Sequence, residues 1–456
     1  MLLLASAALA ARPSMERSLD SEDGTVRVWY EEEGEDAVLD DDDDADGLPD
    51  FAEEVAQTAS DVLQVYASAG FRSPEPDTDG IMDVFLVDFG GNADGAYTAE
   101  RCSGGSPNVC SGYFVMENDF SGYGYGDLSL AIRVLTSHEL FHAVQAAYDS
   151  GEGVWFSEGT AVWAEDLYDP DSSDFIYFCG AYLEDTGRSL DEPPAGPVPT
   201  FAYATALWWK FLSIQHGDDV IVELLEATES EDILVEMAAI EEAHQSSLAD
   251  DWATFARWNL ATGRWAGAAE SYSFAARIGP ISAEASGGVL VDENRFYPLA
   301  ASYYKLEHAG GELWFATDTD APELVFSLHA VGEDGVGEAL VVVEGVASAT
   351  SFGEQAAGDY WLVGTNPTLA TNSTRLTFCL GGREDLTPCV PAVEEVEDVD
   401  EGEDSGGEEA TAGCGCDAGT GAVWTWPWAV AWLASRRRRS RCLLDLSQRQ
   451  PARDGL

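Results

Sequence analysis

The sequence predicts an α+β fold followed by a β-sandwich, on three observations. Up to about Gly279, short β-like runs alternate with stretches of helical periodicity. Beyond Gly279 that spacing gives way to period-two segments separated by Gly, Asp and Asn turns. Hydrophobic residues make up 45% of the 456 residues, enough for real cores in two domains plus flanking segments.

The elements follow in order. Thr25 to Tyr30 alternates as a strand, and Asp40 to Asp50 is a run of carboxylates. Ala52 to Ala69 places Val55, Val62, Leu63 and Tyr66 near one helical face. Ile81 to Val87 reads as a buried strand. Cys102 and Cys110 bracket a Gly/Ser/Pro segment and close a hairpin whose second strand is Gly112 to Glu117. Asp127 suits the N-cap of a helix reaching about Tyr148. Helices are expected from about Ser157 to Leu167, Tyr203 to Gln215, Asp219 to Glu226 and Ile233 to Thr262. Ser302 to Glu307, Glu312 to Ala316, Leu324 to His329, Ala339 to Val343, Tyr360 to Gly364 and Arg375 to Leu380 then alternate as strands.

Charge and cysteine usage narrow the function. With 84 acidic against 22 basic residues the formal net charge is -62. That excludes nucleic acid, which such a surface repels, and fits a soluble, cation-attracting exterior. Of the eight cysteines, Cys102/Cys110 and Cys379/Cys389 are close pairs suited to disulfides in an exported protein. Cys179 has no evident partner, and no cysteine cluster has structural-zinc spacing.

The two ends point to export. Residues 1–11, MLLLASAALAA, form an apolar run with a small-x-small pattern at Ala8-Leu9-Ala10, read as a signal peptide lacking its basic start. Residues 392–412 are an acidic linker that cannot form a core. Gly413-Cys414-Gly415-Cys416 follows, then an apolar stretch from Ala418 to Ser435 just long enough to span a bilayer, then four arginines, Arg436 to Arg439. This order of parts, over 413–441, resembles the myxobacterial C-terminal surface-sorting tag, which implies retention at the cell surface or release. Residues 442–456 form a tail.

The chemistry lies in His138-Glu139-Leu140-Phe141-His142, an HExxH sequence. Residues four apart on a helix share a face, so two imidazoles can reach one metal ion while Glu139 stands beside the metal-bound water. A solvent face is the plain alternative, but Leu135, Phe141 and Val144 crowd the segment. Buried without a metal, the group would leave charges and lone pairs unsatisfied. A catalytic zinc site needs a third protein ligand, and Glu158 in Trp155-Phe156-Ser157-Glu158-Gly159-Thr160-Ala161 supplies it, with Ser157 as the helix cap. Glu165, two turns further on, is placed to accept the second N–H of a ligating histidine.

These residues resemble the gluzincin metallopeptidases, whose aminopeptidase branch pairs HExxH with W-x-x-E-G-x-A. Residues 25 to 215, with VRVWY, DGLPDF, IMDVFLVDFG, HELFHAVQ and WFSEGTAVWAED, are similar to secreted metallopeptidases carrying the same sorting tag. The resemblance implies a gluzincin-like zinc metallopeptidase domain, placed over 12–280, and the period-two pattern places a β-sandwich accessory domain over 281–391. A protein or peptide substrate is expected, with Glu139 as general base, and the resemblance to the aminopeptidase branch implies Tyr203 as the residue that stabilises the tetrahedral oxygen. His216 is a weaker candidate, better explained as the end of a helix beside Gly217. The resemblance also implies an edge strand at Gly112 to Glu117 that receives the substrate backbone. A Gly-x-Met-x-Asn-like exopeptidase motif is missing before the helix, which favours an endopeptidase. A monomer is expected, touching a membrane only through the sorting helix. A surface adhesin on an inactive peptidase scaffold and a zinc hydrolase of non-peptide substrates are the competing readings.

A second metal is expected in residues 42–53. Asp42, Asp44, Asp46, Gly47, Asp50 and Glu53 fit positions one, three, five, six, nine and twelve of an EF-hand calcium loop, with a helix following but no clear helix entering.

Overall fold

The computed structural model describes residues 12–390 except 92, 197–198, 231–232, 268–269 and 370–371. The proposed signal peptide, acidic linker, Gly-Cys motif, membrane-spanning stretch and arginine cluster lie outside the described residues. Among those described, no helix is long and apolar enough to cross a membrane.

The molecule is mixed α and β. Strands β1 (Arg17–Asp20) and β2 (Val26–Tyr30) precede helix α1 (Asp50–Ser68); β3 (Met82–Val87), β4 (Gly95–Cys102) and β5 (Cys110–Glu117) follow. They form one sheet in the order β1-β2-β3-β5-β4, parallel at β2–β3 and β3–β5 and antiparallel at both outer pairs. Alternation sorts its side chains. Val26, Val28, Val84, Leu86, Phe114 and Met116 enter the main core with α1 and the next helix. Phe85, Ala96, Tyr113 and Val115 make a smaller cluster with Trp29 and Val87.

The helices then take over: α2 (Leu128–Ala146), α3 (Val154–Tyr168), α4 (Asp174–Leu183), α5 (Thr200–Ala204), α6 (Ala206–His216), α7 (Asp219–Ala227), α8 (Ile233–Ala243) and α9 (Leu248–Leu260). Asp127 caps α2, its carboxylate accepting from the Leu130 N–H at 2.8 Å. Every α2 residue from Val134 to Ala146 is buried, so this helix runs through the core. The single helix expected from Ile233 to Thr262 is two. Gln245 adopts a left-handed backbone (φ 65°), and Ser247 caps α9 by accepting from the Asp250 N–H. Helix α4 was not anticipated.

After α9 the chain is almost entirely β: β6 (Ala285–Gly287), β7 (Leu290–Phe296), β8 (Ala300–His308), β9 (Gly311–Thr317), β10 (Ala321–Gly332), β11 (Gly335–Gly345), β12 (Thr350–Gln355), β13 (Gly358–Asn366) and β14 (Thr374–Gly381). They form two sheets, β11-β10-β13-β8-β6 and β12-β9-β14-β7, which share a core including Tyr304, Phe315, Phe326, Leu362 and Phe378. The first sheet meets the helices: the Trp252 indole donates to the Ala300 carbonyl (3.2 Å) and the Tyr303 hydroxyl to the Ala256 carbonyl (3.0 Å). Both expected disulfides, Cys102–Cys110 and Cys379–Cys389, are formed, and Cys179 is a buried free thiol.

His329 on β10 makes part of this stability pH-dependent. Its Nδ1–H donates to the Gly337 carbonyl (3.1 Å) and its Nε2 accepts from Ser327 (2.9 Å). Burial outweighs the Gly337 hydrogen bond and holds the imidazole down at about 4, against an ordinary 6.5. The unfolded chain therefore takes up the proton first, so stability falls as pH drops from 6.5 to about 4. The loss is about 3 kcal/mol across that window and levels off below it. Denaturant unfolding of wild type and His329→Gln on both sides of the window checks this. The variant should lack that share of the acid destabilisation, and equal losses in both proteins would count against the assignment.

Candidate metal centre

Helices α2 and α3 meet where the sequence places its metal ligands. His138 and His142, one turn apart on α2, face Glu158 on α3. The three offer ligand atoms within 4.8 Å of one another. Glu158 Oε2 lies 3.3 Å from His138 Nε2 and 3.6 Å from His142 Nε2, the latter too long for a hydrogen bond. All three residues are at most 2% exposed.

The far side of each imidazole is held. His138 Nδ1–H donates to Glu165 Oε1 at 2.6 Å, and His142 Nδ1–H donates to Gln145 Oε1 at 2.8 Å. Each Nε2 is thereby turned toward Glu158. Behind them, the Tyr66 hydroxyl of α1 donates to the Ser137 carbonyl (2.8 Å), bracing α2.

The site is built for positive charge. Burial pulls the His138 imidazole down, but hydrogen bonds to Glu158 and Glu165 prevail and raise it to about 10. Burial pushes Glu158 up, yet the His142 charge, the hydrogen bond to His138 and the His138 charge bring it down to about 2. Glu139, fully buried, is driven well above the ordinary carboxyl range by desolvation, against the pull of His138 and with the push of Glu158. Both Glu139 oxygens, His142 Nε2 and Glu158 Oε1 are buried without a hydrogen-bond partner. Two imidazoles, a carboxylate and such orphaned acceptors fit a divalent cation of zinc type.

No protein-family model matches this chain. No curated protein matches it either.

The remaining site residues fall on both sides of this group. Tyr203 on α5 lays its ring 5.8 Å from that of His138 and stacks on Phe178 of α4 at 5.2 Å. His216 is not brought to the centre; it ends α6 beside Gly217 and pairs with Asp251 at 2.7 Å. In the acidic loop, Asp42, Asp44 and Asp50 form one candidate ligand group and Asp44, Asp46 and Glu53 another. Gly47 there takes φ 93°, as the tight turn of such a loop requires.

Two expectations need correction. Ser157 does not cap α3: the helix starts at Val154 after an extended Gly153, because Trp155 and Phe156 are drawn inward against Trp209. Glu158 consequently sits in the second turn. The strand from Gly112 to Glu117 is not the sheet edge either. It is interior, between β3 and β4, because its parallel pairing with β3 leaves β4 outermost. Among the described residues β4 pairs only with β5. The Tyr97 backbone N–H of β4 lies near the Glu139 carboxyl, short of full hydrogen-bond geometry. Gln145 was not expected as the partner of His142, although its place three residues after it on the same helical stripe was a usable signal.

Proposed function

We propose that this protein is a zinc-dependent endopeptidase of gluzincin type, acting on protein or peptide substrates outside the cell. The observation that carries the reading is the convergence of His138, His142 and Glu158 with Glu139 beside them and both imidazoles oriented from behind. Bound there, zinc would supply Lewis-acid polarisation of a carbonyl and a water acidified toward neutrality.

The chain's own residues do the rest. Glu139 takes a water proton on its carboxylate and hands it to the departing amine nitrogen. Its desolvation suits this, because burial raises the carboxyl and makes it a stronger proton acceptor than an ordinary carboxylate. Tyr203, against His138, donates from its hydroxyl to the oxygen that gains charge. The free edge of β4, next to Glu139, offers backbone N–H and C=O groups to an extended substrate, and Cys102–Cys110 stiffens that hairpin. The two C-terminal sheets act as a β-sandwich accessory domain. The two disulfides, together with the signal and sorting segments read in the sequence, support export. The test is casein cleavage by the purified protein, abolished by a zinc chelator and restored by added zinc. Cleavage unaffected by removal of the metal would sink the reading.

The acidic loop is assigned calcium with a structural role, pinning the N-terminal region to α1. Burial and the carboxylates of Asp46, Asp44, Asp50 and Asp42 all raise the Glu53 carboxyl, strain that a cation would relieve. Calcium at about a hundred times its dissociation constant should add about 2.7 kcal/mol of stability. Asp44→Ala should abolish that gain in a thermal-shift titration; an equal gain in the variant would place calcium elsewhere.

A further inference from the structure

We propose that Gln145 is the positioning residue of this centre: one amide that fixes the tautomer of His142 and holds Glu158 in register with it. The inference rests on the zinc reading above. Gln145 is 6% exposed, and its amide makes three hydrogen bonds inside the protein: Oε1 to His142 Nδ1 (2.8 Å), and Nε2 to the Ser157 carbonyl (2.7 Å) and Thr160 Oγ1 (2.8 Å).

The partners dictate which way the amide faces. The Ser157 carbonyl can only accept. Thr160 spends its proton on the Phe156 carbonyl (2.8 Å), so it too must accept from Gln145. A flipped amide would set an oxygen against a carbonyl. The nitrogen therefore faces α3 and the oxygen faces His142. An amide oxygen only accepts, so the His142 hydrogen sits on Nδ1 and the Nε2 lone pair faces Glu158. Ser157 and Thr160 flank Glu158, so the same amide ties the segment carrying one ligand to the side chain of another.

The two histidines are thus oriented differently, His138 by a carboxylate and His142 by a neutral amide. A simple charge argument says that a carboxylate at 145 should strengthen metal binding. The hydrogen-bond pattern says the reverse, because a carboxylate would oppose the Ser157 carbonyl and lose that bond to α3.

The test has two parts, on the purified full chain. In the metal-free protein above neutral pH, imidazole nitrogen NMR should find His142 protonated at Nδ1. Zinc affinity, from competition with a chromophoric chelator, should fall about 10- to 100-fold in Gln145→Leu, and Gln145→Glu should also bind zinc more weakly than wild type. A His142 protonated at Nε2 in wild type would overturn the proposal, as would unchanged affinity in Gln145→Leu or tighter binding in Gln145→Glu. The wild-type tautomer decides the point even where a variant does not fold. If wild type takes up no zinc, the zinc reading fails, while the tautomer still reports whether the amide orients His142.

Discussion

Glu139→Gln is expected to remove about 10²- to 10⁴-fold of peptide hydrolysis while leaving zinc binding and stability intact. The carboxyl is completely buried, and neither oxygen has a hydrogen-bond partner. A carboxamide of the same shape therefore breaks no bond. Desolvation already favours the neutral carboxyl, so exchanging it for a neutral amide removes no favourable buried charge. What is lost is the ability to take a proton from water and return it to the amine. Casein cleavage by the two proteins at equal zinc content checks this. A variant that cleaves like wild type would remove Glu139 from the mechanism.

Gly159→Ala is expected to be the most damaging single-methyl change near the site. A Cβ on Gly159 would lie 2.1 Å from Thr205 Oγ1 and 2.6 Å from Trp209 Nε1. Neither neighbour is free to yield. Thr205 is bonded to the Trp155 carbonyl (2.5 Å), and the Trp209 ring packs on Trp155 and Phe156 at 5.2 Å each. Helix α3 would have to move away from α5 and α6, taking the adjacent Glu158 with it. Alanine's helix preference offsets about 1 kcal/mol, yet overpacking of this kind should leave a net loss of about 2 kcal/mol with weakened zinc binding. Denaturant midpoints and zinc competition measure both; an alanine variant as stable as wild type would contradict the packing account.

The glycine also illustrates what was legible in the sequence. The segment WFSEGTA singles out Glu158 as a candidate ligand, but the reason for a glycine after it appears only when α3 meets Thr205 and Trp209. His138, His142 and the Asp127 cap are local features, fixed by helical geometry within a few residues, and were readable directly. Glu165 was readable as a carboxylate two turns beyond Glu158. The edge strand was not, because strand order depends on β3 pairing with both β2 and β5, which are distant in the chain. The start of α3 was misplaced for a similar reason: a good capping serine yielded to the burial of Trp155 and Phe156. Gln145 was visible as an i,i+3 neighbour of His142, but its partners Ser157 and Thr160 belong to another helix.

On the zinc reading proposed above, His138, His142 and Glu158 together hold one zinc ion. The most direct measurement is the zinc content of the purified full chain after dialysis, beside the His138→Ala/His142→Ala double variant. About one zinc per chain in wild type and none in the variant is the predicted result. A wild type that keeps no zinc, or a double variant that keeps as much as wild type, would contradict it.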